Sequence, residues 1–172
     1  AFVNHHPWAK EVGLVLNFEA RGSGGPSYML LETNGGNKEL IKAFQKADSD
    51  YPVATSLMYS IYKMLPNDTD LTVFREDANI DGYNFAFIDD HFDYHTVQDS
   101  YERMDINSLN HQASYFMATL NYFADADLEN LKSEEDYVYF NFPVFGLVFY
   151  AFSWVIPMFV VCAVLFLVVL FM

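Results

Sequence analysis

The sequence predicts an α/β layer fold that runs into a membrane helix, and three observations carry that prediction. Short apolar or aromatic stretches of strand character alternate with stretches whose apolar residues recur at helical spacing, as in strands and helices layered over one core. Val12–Phe18 is apolar almost throughout, the pattern of a strand covered on both faces. Every charged residue lies at or before Asp136, and Tyr137–Met172 has none.

In chain order, His5–Lys10 is the end of a preceding helix or a loop. His5 and His6, beside Pro7 and Trp8, cap or end a helix there rather than serving as substitute metal ligands. After Val12–Phe18, Arg21–Ser27 holds three glycines and a proline and must turn. Tyr28–Thr33 is a second short strand. Asn34–Asn37 turns again, and Asn37 is a cap for a helix carrying Leu40, Ile41 and Phe44. Val53, Leu57, Ile61 and Leu65 share one face of a further helix closed by Pro66. Thr72–Glu76 is too short to assign. Tyr83–Ile88 is a strand by its aromatic content, and a polar loop, Asp89–Arg103, follows it. Ile106, Leu109, Ala113, Phe116, Leu120 and Phe123 repeat at helical spacing behind Asp105, a suitable N-cap.

Asp125–Asp136 is an acidic connector. Phe149–Met172 is long enough for a membrane helix, which needs roughly 20 apolar residues. Pro157 either kinks it or marks where the span begins. Ala1 is not an initiator methionine and Met172 ends within the apolar run, so the sequence reads as an internal piece of a longer membrane protein. The expected division is a domain over 1–124, a connector and membrane-entry segment over 125–148, and a truncated transmembrane helix over 149–172.

The formal charge of −14 over 172 residues disfavours nucleic acid as a partner, since nucleic acid selects basic surfaces. The single cysteine, Cys162, excludes an intrachain disulfide.

Two stretches carry the chemistry. Glu19 stands at the end of the first strand, directly before the glycine-rich turn, where an unpaired buried carboxylate would be costly. A cation, Arg21 or a backbone amide of the turn would each satisfy it. His95 sits in the later loop among Asp93, Tyr94, Thr96 and Asp99. Neutral imidazole is a good zinc ligand, and a nearby carboxylate commonly fixes its tautomer. Other motifs fail. His91 and His95 have helical-pair spacing, but Phe92 stands where H-E-x-x-H needs its glutamate. Arg21 spoils a nucleophile elbow around Ser23, and Ser27 occupies the third glycine position of a dinucleotide loop.

Asn17–Gly25, NFEARGSGG, is similar to the Asn-Leu-Glu/Asp strand end of metallopeptidase family 28, the di-zinc aminopeptidase family. Glutamate followed by a glycine-rich turn is typical of its membrane-embedded branch of endoplasmic-reticulum and vacuolar type. Tyr94–Asp105, YHTVQDSYERMD, resembles the family's Y-H-T-x-x-D-T segment. Thr69–Phe74 and Gly82–Ile88 fall where the family has S-D-H-x-x-F and then a strand, with Leu71 replacing the histidine. The resemblance covers roughly 1–124. It implies the later part of a three-layer αβα zinc-exopeptidase fold, a peptide substrate and two zinc ions, one held by Glu19 and the other by His95. Tyr94 is then a candidate oxyanion donor. Asp70 would orient a ligand, and Asp99 would either cap the next helix or stand behind the ligands. The family's H-x-D pair, bridging aspartate and Glu-Glu general base all fall ahead of Ala1, and Ala1–Trp8 looks like the segment just after that Glu-Glu pair.

The implied function is that of a membrane-anchored zinc aminopeptidase-like hydrolase. The alternative is a non-catalytic membrane receptor or scaffold on the same fold. The connector carries Lys132 as its one basic residue, and basic residues concentrate on cytoplasmic flanks, so the domain is expected on the extracytosolic side. Asn67-Asp68-Thr69, a glycosylation triplet, points the same way.

Overall fold

The computed structural model describes residues 2–65 and 68–172. Pro66 and the sequon's Asn67 lie outside the described residues. At the centre is a three-stranded sheet of β1 (Val15–Ala20), β2 (Gly24–Glu32) and β3 (Gly82–Asp89), in the order β1-β3-β2. β1 runs parallel to β3, with Glu19 opposite Ala86, and β2 runs antiparallel to it, with Leu30 opposite Asn84.

Successive strand residues face opposite ways, so β3 presents two different surfaces. Tyr83 and Phe85 pack with Met29, Leu31 and Phe18 against α2 (Lys38–Ala47) and α5 (Ile106–Phe123), where Phe44, Tyr115 and Phe123 meet them. The Phe85 and Tyr115 rings stack at 4.9 Å. The other face is attended by α3 (Ser56–Met64) and α4 (Asp70–Ala78). There Tyr62, Thr72 and Arg75 converge on the buried Glu32, the Arg75 Nε donating to its carboxylate at 3.1 Å. Helices on both faces of a central sheet give the expected three-layer α/β arrangement.

Several local expectations hold. His6 caps a short 3-10 helix, Pro7–Glu11, its Nδ1 accepting the Trp8 N–H at 3.3 Å. Asp105 caps α5 by accepting the Asn107 N–H at 2.8 Å. The residues left unassigned around Thr72 belong to α4.

Others need correction. β1 is half-buried rather than covered on both faces, because among the described residues it is an edge strand. Only Arg21–Ser23 of the glycine-rich stretch bends; Gly24 already pairs with Asp89, and a bulge between Gly24 and Ser27 absorbs the irregularity. Asn37 precedes α2 without a side-chain capping bond. Its amide instead clasps a distant strand, accepting the Tyr137 N–H at 2.6 Å and donating to the Tyr137 carbonyl at 3.0 Å. Of the four residues expected to share a face of this helix, Val53 and Leu65 fall outside α3, Leu57 and Ile61 are 66% and 39% exposed, and Tyr59 is the buried residue.

The largest departure is at the C-terminal end. Tyr137–Phe142 (β4) and Gly146–Ala151 (β5) form an antiparallel hairpin, so Phe149–Ala151 belong to a strand. α6 (Val155–Phe171) follows a 3-10 turn. The 20-residue apolar stretch Phe152–Phe171 has a mean hydropathy of 3.0 and buries nothing against the rest of the chain, which makes it a candidate membrane span. Pro157 falls in the first turn of α6, where its missing N–H has no intrahelical partner to lose.

Gly82 lets β1 and α4 approach the start of β3. A Cβ there would collide with the Val15 carbonyl and the Leu71 side chain. Gly82→Val is therefore expected to destabilise the domain by about 1–3 kcal/mol, the usual range for overpacking, as a lowered denaturation midpoint.

Candidate metal centre

The cleft-facing side of the sheet is built from the alternation described above. Glu19 from β1, Asn84, Ala86 and Ile88 from β3, and Leu30 from β2 line the floor of a cleft of about 640 Å³. Met58, Ile61, Tyr62 and Leu65 of the α3 region also line it, which accounts for the exposure of Ile61. His91, Tyr94 and His95 of the loop after β3 complete the lining. The two residues expected to bind metal thus border one cleft.

Glu19 is held from two directions. Asn17, two residues earlier and so on the same strand face, donates to Glu19 Oε1 at 3.1 Å and to Asn84 Oδ1 at 3.0 Å. Gln112 of α5 donates to the backbone carbonyls of Glu19 at 2.8 Å and Phe85 at 2.9 Å, fixing the strand end from the opposite layer. Beyond Asn84 the polar chain continues through Thr69 to Glu32 and Arg75. Sequence reasoning missed Asn17, Asn84 and Gln112. The available signal for Asn17 was a lone polar residue interrupting an apolar strand at the i−2 position of the carboxylate.

His95 is exposed, in the left-handed region with φ 59°, a conformation that histidine tolerates better than most residues. Its ring stacks on Tyr94 at 3.8 Å, and the Arg21 guanidinium lies over the Tyr94 ring at 5.6 Å. Asp99 does not cap α5; its Oδ2 accepts the His95 backbone N–H at 3.4 Å and braces the loop. Asp70 is exposed in the first turn of α4, where the helix dipole favours a carboxylate, and Asp68 and Thr69 border the cleft instead. Leu71, in the place of the family's histidine, is fully buried.

Asp93, which the sequence offered as a partner for the imidazole, faces the other way. It is buried, accepts from the Ser23 hydroxyl, and pairs with Arg103 Nε at 2.8 Å. Hydrogen bonds from Arg103 and then Ser23 hold its carboxyl below the ordinary carboxylate range. One side chain therefore ties the histidine loop to the glycine turn that follows Glu19.

Among the described residues, no cluster of three or more His, Cys, Asp or Glu side chains is arranged to hold a metal ion. The donor types at the cleft, carboxylate and imidazole, nevertheless suit zinc.

The sequence model of peptidase family M28 matches residues 1–120. The chain belongs to that family. It is 31% identical over 156 residues to endoplasmic reticulum metallopeptidase 1 of Rattus norvegicus, covering 88% of this chain and 17% of that protein. It is 31% identical over 144 residues to the vacuolar membrane protease of Candida dubliniensis, covering 83% and 15%. With the protein of the same name from Debaryomyces hansenii it shares 32% over 159 residues, 89% and 15%. The chain thus spans only 15–17% of the length of these relatives. No solved structure matches it.

Asp93→Asn should free the loop. Amide exchange over 90–104 is expected to accelerate while β3 stays protected. In the parent sequence, the same release is expected on acidification. The lowered Asp93 value contributes stability above the ordinary value of about 4, and that contribution is lost as pH falls through the lowered one.

Proposed function

We propose that the chain is part of a membrane-anchored zinc metallopeptidase of aminopeptidase type, with Glu19 and His95 ligating different zinc ions. The observation that carries this reading is that two residues from distant segments, each matching a family ligand position, border the same cleft. On this reading the remaining ligands and the general base belong to sequence outside this chain. Bound zinc would supply a water of lowered pKa and polarise the scissile carbonyl.

The chain's own residues do the positioning. Asn17 directs Glu19 Oε1, leaving the second carboxylate oxygen available to a cation. The ring stack with Tyr94 steadies the His95 imidazole, and the Tyr94 hydroxyl is the candidate donor to the developing oxyanion. Leu30, Met58, Ile61, Leu65 and Ile88 suit an apolar side chain of the peptide's first residue. Relatives named for the endoplasmic reticulum and for the vacuolar membrane support a membrane setting. The lumenal placement of the domain rests on Lys132 being the one basic residue of the connector.

In the full-length protein, Glu19→Ala and His95→Ala should each lose bound zinc, measured by elemental analysis, and nearly all hydrolysis of an aminoacyl reporter. Asn17→Ala should cost about 10–100-fold in activity or metal affinity, the usual effect of removing a group that orients a ligand. Wild-type zinc content and turnover in His95→Ala would overturn the ligand assignment. An unmutated full-length protein that binds no zinc and hydrolyses no peptide would favour the receptor or scaffold instead.

Orientation is checked separately by protease treatment of sealed vesicles carrying the full-length protein. The domain is expected to survive digestion from the cytosolic side. Its digestion there without permeabilisation would reverse the lumenal assignment.

A further inference from the structure

The β4–β5 hairpin obeys the packing rules of a sheet on one face only. Its inner face carries Tyr139, Leu147 and Phe149, which join the core cluster, and Asn141, whose Oδ1 accepts the Ala54 N–H at 2.6 Å. The outer face consists of Val138, Phe140 and Phe142 paired across to Tyr150, Val148 and Gly146; Phe142 and Gly146 are exposed and the other four half-buried. A sheet face turned to water normally alternates into polar residues, and this one has no charged or amide side chain.

The tip is equally unsuited to water. The Phe145 N–H donates to the Phe142 carbonyl at 3.2 Å, closing a turn around Pro143 and Val144. Val144 has φ 75°, a position that favours glycine, and a β-branched residue there carries backbone strain. Its side chain is 98% exposed, and those of Phe145 and Phe142 are exposed at 74% and 49%. Contiguous exposed apolar surface of this kind marks a contact region.

The chain itself indicates what covers it. Between Asp136 and the end of α6 there is no ionisable Asp, Glu, Lys or Arg, so hairpin and candidate span form one uncharged segment. β5 has six residues. At about 3.3 Å per residue the tip lies roughly 20 Å from the point where the helix path begins. Trp154, 60% exposed, stands at that junction, the residue type enriched at membrane–water interfaces.

We infer that the hairpin lies along the lipid bilayer, with its outer face and the Phe142–Phe145 tip immersed in the interface. The core-facing ties then orient the domain, and with it the cleft, relative to the membrane. This rests on the reading of α6 as a membrane span.

The test uses the full 172-residue chain in phosphatidylcholine vesicles. Cys162→Ser removes the native thiol, and Val144→Cys, Val164→Cys or Glu129→Cys then carries an environment-sensitive fluorophore in separate samples. Val144 and Glu129 are exposed, so labelling leaves the core intact. At Val144 the probe should emit at shorter wavelength than at Glu129 and lose most of its emission to a nitroxide on the lipid acyl chain near the headgroup, and at Val164 to a nitroxide near the end of the acyl chain. Quenching at Val164 but not at Val144 would overturn the hairpin assignment and keep the span. Quenching at neither would remove the span reading itself. A blue-shifted but unquenched probe at Val144 would show protein, a second copy included, covering the tip, and would also overturn the proposal.

Discussion

β3 is bonded along both edges, parallel to β1 and antiparallel to β2, so its side chains cannot be re-registered without breaking two ladders at once. That constraint sets the character of each layer. Tyr83 and Phe85 must enter the aromatic core under α2 and α5, and Asn84, Ala86 and Ile88 must face the cleft. The buried Asn84 could not be tolerated alone, because an unsatisfied amide costs about 1–3 kcal/mol. Asn17 and Thr69 satisfy it, and through them the floor of the cleft becomes one polar chain from Glu19 to the Glu32–Arg75 pair. A strand shift by one residue would put tyrosine where asparagine stands and disconnect Glu19 from its support.

Much of this was legible in the sequence. The apolar run ending in Glu19, the aromatic strand Tyr83–Ile88, the capped helix after Asp105 and the family's two signature stretches are all local patterns. What escaped was non-local. Asn37 has the chemistry of a cap, and only the folded chain brings Tyr137 close enough to compete for it. Asp93 sits two residues from His95 in sequence, but its partner Ser23 comes from the turn between β1 and β2, 70 residues earlier in the chain. The hairpin was hidden for another reason: in an uninterrupted apolar run, periodicity cannot separate strand from helix. On α3, apolar spacing identifies a face without saying whether core or cleft will meet it.

The connection between domain and tail is polar and redundant. Lys132 pairs with Asp81 at 2.9 Å and donates to the Asn79 carbonyl at 2.8 Å, anchoring the acidic connector beside the start of β3. Lys38 meets Glu135 at 2.9 Å, Asn37 clasps Tyr137, and Ser56 exchanges hydrogen bonds with the Tyr139 backbone. Each of these pairs keeps one partner in solvent, and such pairs are individually worth little. Several acting on one short segment nonetheless leave it few orientations.

The Asp93–Arg103 pair has a consequence for survival among other proteases. Arg103 is the one Lys or Arg between Arg75 and Lys132, a stretch that includes β3, the histidine loop and all of α5. A trypsin-like enzyme can cut there only by drawing that guanidinium into its own specificity pocket. The folded loop already spends the guanidinium on a buried carboxylate, and Tyr101 and Val97 beside it can stay exposed without offering such an enzyme a bond to cleave. Durability over this whole stretch is thereby linked to the same contact that shapes the cleft, so a chain nicked at Arg103 would be one whose loop had already opened.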